Sequence, residues 1–161
     1  MPIQVLIVDD EEHQRKGLIK HVKWSKFDME IIGEAESADE ALEVASLCPP
    51  DLMITDIFMH GKDGLFLSET MKQLYSELKI IIITGYEKFD YAKSAIDLGV
   101  DAMLLKPVDF EELSENLNAI SHSYHNDLKK QEDDESHGVN FNQHIALQRV
   151  FIRHAGKIVD G

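Results

Sequence analysis

The sequence predicts an α/β domain: a five-stranded, doubly wound parallel sheet with helices on both faces. Short apolar runs rich in β-branched residues recur at 3–8, 30–35, 52–55, 79–83 and 102–105. Most are too continuous for half-exposed strands, so they read as strands buried on both faces. Each run is followed by a stretch with helical spacing, and this fivefold alternation is the pattern of a parallel sheet covered on both sides. The third observation is chemical. The residues directly after the strands are rich in carboxylates, and ligands of such sheets bind at the C-terminal strand edge near a switch point in strand order.

The first strand ends in VLIVDDEEHQ (5–14), and a helix is expected over 13–22. Ser37 is a candidate N-cap for a helix over 39–47, which Pro49 and Pro50 terminate. The third strand runs into a loop bracketed by Gly61 and Gly64, with a helix over 65–74 beyond it. The fourth helix, 89–98, stops at Gly99, and the fifth, 110–124, follows the cap candidate Asp109. These units place one domain at 1–124. Residues 125–140 contain the polar stretch DLKKQEDDESHG and read as a linker or an extension of the last helix. In 141–161, Leu147, Val150, Phe151, His154 and Ile158 recur at helical spacing, which predicts a short amphipathic tail.

A formal net charge of −14 over 161 residues opposes binding to a polyanion, because nucleic-acid affinity comes largely from Lys and Arg neutralising phosphates. The single cysteine, Cys48, excludes an internal disulfide. No signal-peptide pattern is visible, and the most strongly apolar stretch, 80–83, is far too short to span a bilayer. A cytoplasmic protein without a membrane segment is expected.

The strands deliver Asp9 and Asp10, Asp56, Thr84 and Lys106 to one edge. Carboxylates stacked at the end of a buried strand repel one another unless something compensates. An acidic first helical turn would complement the helix dipole. Convergence with Asp56, however, makes a hard divalent cation such as Mg²⁺ the better reading. Asp56, in MITDIFMHGKDG, stands on a rigid strand end before a glycine-bearing loop and could attack a phosphoryl group. Lys106 could supply a balancing ammonium and Thr84 a hydroxyl donor. Taken singly, a strand-end lysine is ordinarily solvated and threonine is an ordinary strand residue.

In this order, LIVDDEE, DLMITDIFMHGKDG, IIIITGY and LLKPVD closely resemble the receiver domain of bacterial two-component response regulators over about residues 1–124. GYEKFDYAKSAIDLGVDAMLLKPVD resembles the subgroup that carries AraC-like DNA-binding domains. The resemblance implies a flavodoxin-like strand order, 2-1-3-4-5, and a sensor histidine kinase as the phosphoryl donor. It implies Asp56 as phosphoacceptor and Mg²⁺ as cofactor, with Asp10 a direct ligand, Asp9 an acidic neighbour and the Phe58 carbonyl a backbone ligand. Thr84 and Lys106 would contact phosphoryl oxygens. Two departures stand out. His60 replaces the family's usual proline, and Met103 replaces the usual switch Tyr or Phe three residues before the lysine. A flexible thioether makes a weakly specified two-position switch.

A flavin-binding reading fails, since DDEE at the first helix would repel a phosphate. A Mg²⁺-dependent aspartyl-phosphate hydrolase is the alternative. It calls for its nucleophile in an Asp-x-Asp at the first strand, whereas Asp9 and Asp10 are adjacent here. An inert receiver-like interaction module is the other. A signalling module, not an enzyme acting on a metabolite, is therefore expected. The 37 residues after 124 leave no room for a DNA-binding domain, so DNA contact would require an output domain absent from this chain. The tail at 141–161 would be the start of that domain, unless the output is a protein contact. Leu113, Leu117, Ile120 and Tyr124 follow coiled-coil spacing. The first two are expected to cover the sheet, and an overrun of the helix past Tyr124 would support a parallel homodimer.

Overall fold

The computed structural model describes residues 1–85 and 89–137. Five strands, β1 (Ile3–Val8), β2 (Met29–Ala35), β3 (Leu52–Thr55), β4 (Lys79–Thr84) and β5 (Ala102–Leu105), form one parallel sheet in the order β2-β1-β3-β4-β5. The intervening helices are α1 (Glu12–His21), α2 (Ala38–Leu47), α3 (Gly64–Leu74), α4 (Phe89–Asp97) and α5 (Phe110–His137). The predicted fold class and strand order are both present.

Alternate residues of the strands feed two separate cores. Ile3, Val5 and Ile7 of β1 pack with Leu52 and Ile54, Ile81 and Ile83, under α1 and under Leu113, Leu117 and Ile120 of α5. Leu6 and Val8 pack with Met53, Ile80 and Ile82 under α2, α3 and α4. A strand buried on both faces must be apolar at every position, which is why these runs were legible. Because the strand order reverses between β1 and β3, and β3 is the central strand, the ends of β1, β3, β4 and β5 line one edge at the switch point.

Caps account for most of the boundaries. Ser37 Oγ accepts the Glu40 N–H at 3.1 Å while Glu40 Oε2 accepts the Glu36 N–H at 3.2 Å. Asp63 Oδ1 accepts from Phe66, and Asp109 Oδ1 from Glu111 and Glu112. Gly99 takes the left-handed φ of 76° beyond α4.

One element is absent from the sequence reading, and α5 takes the helix-extension and sheet-covering readings that it offered. A short 3-10 turn, Trp24–Phe27, buries its two aromatics, although its four residues are too few for a periodic signal. The last helix continues from 124 to His137, through residues that are mostly good helix formers. Leu113, Leu117 and Ile120 lie in the domain core, so the coiled-coil spacing of these three residues is the ordinary apolar stripe of a helix covering a sheet. The amphipathic tail predicted at 141–161 lies outside the described residues. Among the described residues, no helix is long and apolar enough to cross a membrane.

Candidate functional site

Asp9 follows β1 directly and is fixed at every polar group. Its N–H donates to the Ala35 carbonyl at 3.0 Å, and its own carbonyl accepts Arg15 Nη1 at 2.7 Å. Its Oδ1 accepts the Glu11 N–H at 2.9 Å, and its Oδ2 accepts Lys106 Nζ at 3.1 Å. One oxygen thus holds the turn that leads into α1 and the other holds the lysine. Glu11 and Glu12 are exposed in and before the first turn of α1, where the helix dipole favours them.

Asp56 follows β3, the central strand, and is buried. Its N–H donates to the Val8 carbonyl at 3.1 Å, so its backbone extends the β1–β3 ladder by one step. Its Oδ2 accepts Lys106 Nζ at 2.8 Å and its Oδ1 accepts the Phe58 N–H at 3.3 Å. Thr55 Oγ1 donates to the Asp56 carbonyl at 2.9 Å. The loop then returns so closely that a Cβ on Gly64 would overlap the Asp56 carbonyl oxygen, while the Gly64 N–H donates to Ile57 at 2.7 Å.

Lys106 reaches both carboxylates from the end of β5, where its backbone N–H donates to the Thr84 carbonyl at 2.9 Å. Thr84, the last residue of β4, is fully buried. Asp10 lies beside this pair, with an exposed His60 ring 4.0 Å from its Oδ2. Phe58 packs its half-exposed ring edge-on against Tyr91 of α4, 5.1 Å between centroids. Met103, in the middle of β5, is half-buried against the α2–α4 core.

Oxygens of Asp9, Asp10 and Asp56 all lie within 4.8 Å of one another, the one such acidic group among the described residues. Against these three carboxylates stands the single Lys106 ammonium, an excess of two negative charges that suits a hard divalent ion with oxygen ligands. The donor set therefore fits Mg²⁺. Burial raises the Asp9 pKa, against the lowering effect of the Glu11 N–H and Lys106. For Lys106, burial is the largest influence and favours the neutral amine. The hydrogen bonds and attraction of Asp56 and Asp9 together outweigh it, and the ammonium is held more firmly than in water.

Of the residues expected from the sequence, Asp9, Asp10, Asp56 and Lys106 converge, and Thr84 is tied to Lys106 through its backbone carbonyl. Two that hold them in place were missed. Arg15 was not singled out, since an arginine inside a polar helix ordinarily reads as solvated, and Glu34, which binds it at 3.2 Å, reads as a strand-end surface acid.

The match to known proteins is broad. A family model described as the response regulator receiver domain matches residues 5–118. The response regulator protein VraR of Staphylococcus saprophyticus is 33% identical over 127 residues, covering 79% of this chain and 59% of the relative. The uncharacterized transcriptional regulatory protein YesN of Bacillus subtilis is 32% identical over 117 residues, covering 73% of this chain and 32% of the relative. The chain thus spans from about a third to about three fifths of the length of these two relatives. Among solved structures, the REC domain of AraT, a response regulator from Geobacillus stearothermophilus, is 38% identical with a TM-score of 0.75, covering 80% of this chain and 99% of that one. A LuxR-family DNA-binding response regulator from Staphylococcus aureus is 26% identical with a TM-score of 0.67, covering 74% of this chain and 98% of that one.

Proposed function

Because this chain belongs to the response regulator receiver domain family, we propose that it accepts a phosphoryl group on Asp56 from a phosphohistidine of a sensor kinase and relays that state by a change of conformation. The observation that carries the reading is the Lys106 ammonium bridging Asp9 and Asp56 inside a triad of carboxylates at the C-terminal strand edge.

An Asp56 carboxylate oxygen attacks phosphorus as the bond from phosphorus to the donor imidazole nitrogen breaks, giving an acyl phosphate and a neutral imidazole. Asp9, Asp10, Asp56 and the Phe58 carbonyl would hold Mg²⁺, which supplies charge neutralisation for the transferring oxygens. Lys106, already on the Asp56 carboxylate, keeps a cation beside the charge that arrives. The Thr84 hydroxyl is the candidate donor to a further phosphoryl oxygen, and its burial at the end of β4 means that any reorientation is felt by the packing around it. The domain turns over no metabolite and catalyses at most its own phosphorylation and dephosphorylation.

In this reading the receiver unit spans residues 1–124, α5 carries the signal onward, and residues 141–161 begin an output domain. The stretch GYEKFDYAKSAIDLGVDAMLLKPVD supports an output of the AraC-like, DNA-binding type and hence a cytoplasmic regulator of transcription. With Met103 at the usual aromatic position, movement there is small, and coupling runs mainly through Lys106 and the α4–β5–α5 face. Pairing of two copies through the exposed part of α5 is the assembly that fits. Incubation with acetyl phosphate and Mg²⁺, followed by intact mass, should show one labile phosphoryl adduct that Asp56→Asn abolishes. An undiminished adduct in that variant would falsify the assignment, and steady phosphate release with turnover would favour the hydrolase instead.

A further inference from the structure

Among the buried polar side chains of the described residues, Asp9, Asp56 and Thr84 belong to the site itself, and Thr55 and Ser68 donate to nearby carbonyls. Arg15 is the remaining one, a buried charge to which the chemistry above gives no task. Its Nη1 donates to the Asp9 carbonyl at 2.7 Å and its Nε to Glu34 Oε1 at 3.2 Å. Glu34 also accepts Lys16 Nζ at 2.7 Å, and it immediately precedes Ala35, whose carbonyl receives the Asp9 N–H.

The Asp9 carbonyl belongs to the peptide that joins Asp9 to Asp10, so a guanidinium bonded to it fixes the plane of the link between the two acids. The Asp9 side chain is already held on both oxygens. Among the described residues the Asp10 carboxylate has only the exposed His60 ring, 4.0 Å away, as an ion-pair partner, and its placement depends on the backbone that Arg15 grips. A neutral amide could have satisfied one carbonyl. The planar fork of an arginine instead ties that carbonyl to a carboxylate on the neighbouring strand in one rigid unit. Glu34 offsets the charge of the buried arginine, and the second cation on it, Lys16, is exposed to solvent.

We propose that Arg15, braced by Glu34, is the positioning residue of the acidic pocket: it sets the Asp9–Asp10 peptide so that both carboxylates present oxygens to one divalent cation. This rests on the Mg²⁺ reading of the site. The test is calorimetric titration of MgCl₂ into the full chain and into folded Arg15→Met, Arg15→Lys and Glu34→Gln variants, with melting recorded for each. Groups that orient metal ligands typically change affinity by about ten- to a hundredfold when removed, so Arg15→Met should weaken Mg²⁺ binding by about tenfold or more. Arg15→Lys, which keeps one donor, should recover part of that loss, and Glu34→Gln should fall between Arg15→Lys and wild type. A folded Arg15→Met that binds Mg²⁺ as wild type does, whatever its melting temperature, reduces Arg15 to a structural group and overturns the proposal. If that variant does not fold, wild-type affinity in both Arg15→Lys and Glu34→Gln overturns it equally. A wild-type chain that takes up no Mg²⁺ and forms no Asp56 adduct removes the underlying reading, an outcome separate from Mg²⁺ binding that the variants leave untouched.

Discussion

Asp9 shows how much one side chain can carry when both of its oxygens are committed. One oxygen closes the turn into α1 and the other holds Lys106, so its loss would cost the turn's hydrogen bond as well as an ion pair. The strand-end acids and the lysine were legible because residue type and position coincided. Arg15 was not, because only the fold turns a helix arginine inward, toward a carbonyl six residues earlier. The acid that braces it offers a clean titration. The Lys16 hydrogen bond is the largest influence on Glu34 and lowers its pKa below 4.5, with Arg15 adding to the effect and partial burial opposing it. A carboxylate whose folded pKa is depressed contributes stability that is present above the unfolded value and is lost as pH falls through the folded one. Lys16→Ala should therefore move Glu34 back up toward 4.5 in a carboxyl-carbon NMR titration. The stability gap between variant and wild type should be open at neutral pH and close in acid. An unmoved Glu34 titration would mean that Arg15 alone sets it.

At the scale of elements, the loop after Asp56 is set by an approach that only glycine permits. Gly61 turns the chain with φ of 84°, and Gly64 then brings the start of α3 against the Asp56 carbonyl. The sequence showed that two glycines bracket this loop. It could not show that one supplies a backbone angle and the other room, since both look alike in a string of letters. The obstacle to a Cβ at Gly64 is backbone, which cannot swing aside as a flexible side chain can. Gly64→Ala should thus destabilise the domain by about 3 kcal/mol, at the upper end for overpacking. It should also slow Asp56 phosphorylation in whatever fraction remains folded. Gly61→Ala meets no neighbour and is strained only through its φ, about 1 to 2 kcal/mol. Urea unfolding of the two variants checks the order; equal losses would show that the close approach at Gly64 costs no more than the backbone strain at Gly61.

For the whole molecule, charge and apolar surface pull in opposite directions. The sheet and its two cores were readable because burial on both faces leaves continuous apolar runs. The reach of α5 was left open between a linker and a helix extension, because a polar stretch carries no periodic apolar signal. Beyond Tyr124 that helix shows one large apolar side chain, Leu128, at 39% exposure, and then the acidic run Glu132 to Glu135. Two copies paired in parallel there would join Leu128 to its counterpart across the seam and bring the two acidic runs side by side, in a chain of net charge −14. Such a contact is small and opposed by repulsion, and screening should strengthen it. In sedimentation with beryllofluoride and Mg²⁺, the chain should therefore shift from monomer toward dimer as NaCl is raised from about 0.05 to 0.5 M, a range that shortens the Debye length severalfold. Leu128→Lys should return it to monomer without affecting phosphorylation of Asp56. A chain that stays monomeric throughout, or a Leu128→Lys variant that still dimerises, removes α5 from any role in assembly and leaves the α4–β5 face to carry the output.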